Sequence, residues 1–251
     1  MHKGIAVGAA LLALGGASGG IVAGAGADGS GGTGQAAAQR PLQLTKSDLF
    51  IEINATDGDA GLQLDLDGEP WGRLALFDPD GRKVLAVAGQ GRLGTYGLTG
   101  LTFESAEPPF DEVPLARFRA RFPEGRYVFR GRTVEGRRLV GTARLTHAIP
   151  KGPVVVSPAE DAAVAPDRLV IRWRAASEGR GVAIVRYQVI LTHEASDREI
   201  AMDLPGTATS ATVPPEFLSP PGEYKVEVLA RERSGNQTIT EVPFTIRRPA
   251  P

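Results

Sequence analysis

From residue 43 onward, apolar side chains recur at every second position in short runs, and Gly, Pro, Asn or Asp breaks the runs. That period is the signature of strands with one dry and one wet face. Leu49–Ile51 opens the first such region. The run GLQLDLD, residues 61–67, predicts Leu62, Leu64 and Leu66 on one face and Gln63, Asp65 and Asp67 on the other. Asp78-Pro-Asp-Gly81 reads as a turn between Leu74–Phe77 and Val84–Val87. Arg117–Phe122 alternates strictly, Pro123-Glu124-Gly125 turns, and Arg126–Arg132 returns. The pattern predicts a hairpin that buries Phe118, Ala120, Phe122, Tyr127 and Phe129. Pairing Phe122 with Tyr127 would set Arg119 opposite Arg130 and Arg117 opposite Arg132.

A second region, Pro153 to Arg247, repeats the style with strands expected at 169–173, 184–192, 199–204, 210–213, 224–228 and 239–246. Leu169, Ile171 and Trp173 should share the buried face of the first of these, and Pro214-Pro215 should stop pairing because proline lacks the backbone donor. Trp173 in the second strand, Tyr187 in the third, and the segment Leu218-Ser-Pro-Pro-Gly-Glu-Tyr224 before the penultimate strand resemble a fibronectin type III domain over about 95 residues. The resemblance implies a sandwich used as a scaffold, with Tyr224 as the tyrosine-corner residue whose hydroxyl bonds back to nearby backbone. The family's Arg-Gly-Asp tripeptide is missing; the corresponding loop reads Glu232-Arg-Ser-Gly-Asn-Gln237.

Gly125-Arg126-Tyr127 is echoed by Gly222-Glu223-Tyr224, 97 residues later, with Pro before each and an alternating strand after each. The expected fold is therefore all-β, with two tandem immunoglobulin- or fibronectin-type sandwiches at 43–150 and 151–248. They would meet at the short Pro/Gly joint Ala148–Pro153. Tyr127 becomes the first domain's candidate tyrosine corner.

Residues 1–27 are laid out like a secretory signal: His2 and Lys3, a ten-residue apolar core Ile5–Leu14, then small residues ending Ala25-Gly26-Ala27. The rival is an uncleaved anchor, but the strongly apolar part is short for a span. Residues 28–42 are rich in Gly, Ser, Ala and Gln and predict a disordered linker. The expected location is secreted or periplasmic, with no transmembrane segment once the signal is removed.

Cysteine is absent, which excludes disulfides, thiolate metal sites, cysteine nucleophiles and lipid attachment through cysteine. A net charge of −1 gives no basic field for nucleic acid. Within the first region charge is uneven: residues 48–80 carry nine acids against Arg73, and residues 117–144 carry nine arginines against Glu124 and Glu135.

Several candidates stand beside plainer readings. The Arg stripe with Arg119, Arg130 and Arg132 suits an anionic glycan or acidic surface, or pairing with the domain's own acids. Trp71 could stack on a sugar, or fill the first core. Asp57-Gly-Asp59 and Asp65-Leu-Asp67 could bind Ca²⁺; the EF-hand register fails, because its glycine position falls on Leu62 and its twelfth on Gly68. His147 and His193, one per domain, are too few for a histidine zinc site and read as surface or joint residues. No nucleophile elbow or phosphate loop is present. Asn54 and Asn236 open glycosylation sequons. No cofactor or metal is expected. The expected function is an exported, non-enzymatic binding or scaffold protein that contacts protein or polysaccharide at the cell surface. The alternatives are a carbohydrate-binding or Ca²⁺-stabilised accessory module and a small carboxylate-pair hydrolase.

Overall fold

A computed structural model describes residues 40–166, 169–176, 182–218 and 220–247. The expected signal, 1–27, and most of the expected linker lie outside the described residues. The linker's last residue, Leu42, is instead the first of a strand, because it pairs with Leu139 in register.

The all-β expectation is met. The first half contains β1 (Leu42–Gln43), β2 (Lys46–Asn54), β3 (Asp59–Phe77), β4 (Lys83–Ala88), α1 (Arg92–Tyr96), β5 (Leu98–Glu104), α2 (Leu115–Arg121), β6 (Gly125–Thr133) and β7 (Arg138–Leu145). β3 is 19 residues long and serves two neighbourhoods. Its first part pairs with β2 and β5. Its second part pairs with β4 and β6, and β6 continues to β7. The change of partners falls between Asp67 and Trp71, where Gly68 and Pro70 interrupt the ladder. Around that bend Leu62, Leu64, Leu66, Trp71, Tyr127 and Phe129 close one core.

Two expectations fail here. Arg117–Phe122 is not the outgoing arm of a hairpin: Leu115–Arg121 is the helix α2. Phe118 and Phe122 are four residues apart, two full strand periods but also i and i+4, so the same sequence fits a helix stripe. Pro114, at the N-cap, allows a helix start. The rings of Phe118 and Phe122 then pack 5.0 Å apart. Gln63 and Asp65 do not face water either; they are 8 % and 4 % exposed. β2 and β5 flank that stretch of β3 on both edges, and polar side chains from both strands cover its outer face.

The second half contains β8 (Val154–Ser157), β9 (Ala163–Val164), β10 (Val170–Arg174), β11 (Ile184–His193), β12 (Arg198–Pro205), β13 (Ser210–Thr212), β14 (Gly222–Glu232) and β15 (Gln237–Ile246). Each strand expected in this half is present. β13-β10-β8 form a three-stranded sheet, and β15-β14-β11-β12 form the facing layer. Between them lie Ile171, Trp173, Tyr187, Leu218, Tyr224 and Val226. This three-on-four arrangement is a fibronectin type III-like sandwich.

The halves are not beads on a joint. The larger sheet runs unbroken from one into the other, because β15 pairs in parallel with β2 at Gln237–Glu52, Thr238–Ile53 and Ile239–Asn54. Among the described residues no helix is long and apolar enough to cross a membrane.

Candidate functional site

The repeated Gly-x-Tyr motif acts alike in both halves. Gly125 and Gly222 hold positive φ angles of 145° and 147°. A Cβ at Gly125 would meet Pro79 Cγ at 2.7 Å, and one at Gly222 would meet His193 Nε2 at 3.0 Å. Two residues on, the Tyr127 hydroxyl donates to the Pro123 carbonyl at 3.1 Å and the Tyr224 hydroxyl to the Pro220 carbonyl at 2.8 Å. Both bonds reach back four residues, the geometry of a tyrosine corner. Burial raises both phenols above their usual range.

The expected ligand stripe does not assemble. Trp71 is 0 % exposed and belongs to the first core, so it offers no stacking face. Arg119 sits on α2, away from any strand pairing with Arg130. Arg130 lies on β6 opposite Ala75 and places its guanidinium 5.0 Å from the centre of the Phe77 ring. Arg132 donates to the Gly136 carbonyl at 2.8 Å, closing its own turn. Arg130 and Arg132 do line a shallow hollow with Phe77 and Lys83. His193 is buried, pairs with the Ser196 hydroxyl at 2.6 Å and lies 4.8 Å from the Tyr224 ring. It is thus a packing residue, not a surface one. His147 Nε2 pairs with the Phe122 carbonyl at 2.8 Å.

The turn between β14 and β15 joins the halves. Asn236 is 1 % exposed. Its Oδ1 accepts the Ile51 N–H at 2.8 Å, while its Nδ2 donates to the carbonyls of Thr146 at 2.9 Å and Ala148 at 3.1 Å. Only an amide offers an acceptor on one atom and two donors on the other in that geometry. Glu232 organises the turn from within, accepting the N–H groups of Ser234 and Asn236. Thr238 donates to the Pro150 carbonyl at 2.7 Å. In the folded chain the Asn236 amide is committed to these bonds, which leaves no room for a glycan at that sequon.

Along the outer face of the shared sheet, three carboxylates converge. Glu52 of β2, Glu104 at the end of β5 and Glu107 just beyond it bring one oxygen each within 4.8 Å of the others. Gln63 donates to Glu104 at 2.6 Å and to Glu52 at 3.2 Å, and Gln237 also donates to Glu52. Glu107 lies directly over Gly61, where a Cβ would meet its Oε1 at 2.3 Å. Burial first, then the neighbouring carboxylates, push Glu52 up to about 7 and Glu107 up to about 8. Such a set holds protons at neutral pH, and its all-oxygen chemistry suits a hard cation. Of the expected acidic loops, Asp57 accepts from Asn54 at 3.2 Å and Asp65 pairs with Lys46, while Asp59 lies near enough to the set to help raise Glu107. Glu52 and Glu104 are 52 residues apart in the chain, and no local motif signals their meeting.

Where the halves splay apart beside the Asn236 turn, they leave a cleft of about 670 Å³. Lys46 and Arg144 enter it from the first half, and Arg186, Arg231 and Arg233 from the second; Asp48 and Glu232 are its acids. Arg231 is half-buried, lies 4.7 Å from the centre of the Phe50 ring and donates through Nε to the Gly235 carbonyl. Burial and the adjacent Arg186 hold its guanidinium below the ordinary arginine range.

No protein-family model matches the chain, and no curated protein matches it. Among solved structures, the chain is similar to a two-domain fibronectin type III segment of chicken tenascin, at 11 % identity with a TM-score of 0.30, covering 80 % of this chain and 98 % of that one. It is similar to the FN1–FN3 domains of chicken CNTN1, at 14 % identity and a TM-score of 0.32, covering 83 % of this chain and 65 % of that one. A tetra-tandem repeat from the extending region of a large adhesion protein is similar at 15 % identity and a TM-score of 0.27, over 80 % of this chain. The chain spans only 50 % of that repeat array. These three are fibronectin type III and adhesin-repeat structures. By its own strand order the chain is an all-β protein whose second half has the type III sandwich layout.

Proposed function

We propose that the chain is exported and works as a non-catalytic binding or scaffold protein of the cell envelope or the extracellular space. The observation that carries this reading is the shared sheet. Two small cores are locked into one platform by β2–β15 pairing and the buried Asn236 amide, and the lock leaves an open, polar cleft rather than a closed reaction chamber. A rigid two-part platform loses little ordering entropy when it binds. The layout of residues 1–27 supports export, and the cysteine-free composition removes any dependence on an oxidising compartment for folding.

The test is to produce the full chain in a bacterial host, fractionate the cells and weigh the product. The expected product lies outside the cytosol, begins at Asp28, and sediments with cell-envelope fragments in a salt-dependent way. A full-length product confined to the cytosol overturns export. A mature product that binds no envelope fraction at any salt overturns the binding role.

A further inference from the structure

The cleft between the halves concentrates positive charge that the protein itself compensates only in part. Five cations line it against two carboxylates. One carboxylate, Glu232, is already engaged by the N–H groups of its own turn. The other, Asp48, lies 3.9 Å from Lys46, whose ammonium is already paired with the buried Asp65 of β3. Arg186 reaches Asp203 at 3.7 Å, outside the cleft. Arg144 and Arg233 are exposed and make no ion pair among the described residues. Arg231 makes its direct contacts with a carbonyl and an aromatic face, and burial and the adjacent Arg186 outweigh the more distant Asp48, Glu52 and Asp203. A desolvated cation next to a like charge is costly until an anion arrives. The arginines come from three strands and one turn on opposite walls, so one bound group can be gripped from both halves.

The remaining lining narrows the ligand. Ser47, Thr142 and Ser234 also line the cleft; the Ser47 hydroxyl donates to the Thr142 carbonyl and the Ser234 hydroxyl to Glu232, so these two oxygens keep acceptor capacity for a ligand hydroxyl. Guanidinium forks match the paired oxygens of carboxylate and sulfate groups, and the lining hydroxyls match a polyhydroxylated chain. The volume falls in the range of small-ligand clefts. The whole chain's charge of −1 gives no extended field for a nucleic acid backbone.

We propose that this cleft, lined by Lys46, Arg144, Arg186, Arg231 and Arg233, is a binding site for an acidic oligosaccharide bearing carboxylate or sulfate groups. The proposal deepens the binding role above and rests on it, but its test is made in solution. A failure here therefore leaves the export and envelope results standing on their own.

The experiment is isothermal titration of the purified full chain at low salt with oligogalacturonate, sulfated dextran oligomers, neutral dextran oligomers, a poly-glutamate peptide and inorganic sulfate. The expected result is 1:1 binding of a charged oligosaccharide, with no binding of the neutral one. Affinity should fall at least tenfold in the R144E/R233E variant and in its milder partner R144Q/R233Q. It should be unchanged in R130E/R132E, which alters the other arginine-lined hollow. Oligogalacturonate and sulfated dextran distinguish carboxylate from sulfate recognition. Both cleft positions are exposed, and an unchanged Tm in either variant keeps the reading clean. The proposal is overturned if neither charged oligosaccharide binds, if poly-glutamate binds more tightly than both, if only inorganic sulfate binds, or if the loss appears in R130E/R132E instead.

Discussion

Replacing Asn236 by alanine should destabilise the chain by about 3 kcal/mol and loosen the two halves while both cores stay packed. The substitution strands three backbone groups at once: the buried Ile51 N–H and the part-buried carbonyls of Thr146 and Ala148. Each unsatisfied group costs on the order of 1–3 kcal/mol. Water entering the vacated space recovers part of that, so the total stays well below the sum. Ile51 belongs to the first core through its side chain, but its N–H and the carbonyls of Thr146 and Ala148 all point to the one amide in the turn between β14 and β15, which is why the loss should be felt at the junction. Urea unfolding should show the lower midpoint, and hydrogen exchange at Ile51 should quicken roughly a hundredfold, the equivalent of about 3 kcal/mol. A change under 0.5 kcal/mol would mean the junction is held by something else.

The carboxylate face makes a second, opposite-signed prediction. Stability should fall as pH rises from about 4.5 to about 8. The sign follows from proton counts. Glu52 is raised from 4.5 to about 7 in the folded chain, so across that interval the folded state holds a proton that the unfolded state has released. Stability therefore declines with rising pH and levels off above the folded value. Glu107, raised to about 8, and Asp59 and Glu227, both raised mainly by burial, act in the same direction. The displacement of Glu52 alone corresponds to about 3 kcal/mol by pH 8. Glu52→Gln should thus be close to neutral at pH 4.5 and more stable than the parent by about 3 kcal/mol at pH 8. Its amide can still accept from Gln63, and Gln237 need only turn its own amide. Urea midpoints of both proteins from pH 4 to 8.5 check this. A variant weaker than the parent at pH 8 would show that Glu52 works there as a charged partner rather than as a protonated one.

These two sites also mark where the sequence stops being informative. The second half was legible because its strands alternate, its turns carry Gly and Pro, and its aromatic positions fall in a known order. The Gly-x-Tyr echo was legible for the same local reason, and its glycines and hydroxyls do the same work at Tyr127 and Tyr224. Phe118 and Phe122 misled because a spacing of four satisfies both a strand and a helix, and only the packing of α2 on β3 decides between them. Gln63 and Asp65 misled because alternation assumes one wet face, whereas β3 is roofed by polar side chains from its neighbours. Trp71 had two readings, and the bend of β3 chose burial. The junction was illegible in principle: Asn236 sits in what reads as a solvated turn, and its partners Ile51, Thr146 and Ala148 lie 88 to 185 residues away. The cleft arginines are likewise scattered over both halves, outside the one stripe that local pattern could show.

Rigid union of the halves is what gives the cleft its shape, so it is the claim to test most directly. Backbone N–H residual dipolar couplings, measured for β2–β7 and for β11–β15 in one aligned sample, report the relative orientation of the two halves. One alignment tensor should fit both sets with the strand directions described above. Two tensors of different magnitude or axis would show halves that reorient independently, and would contradict the account.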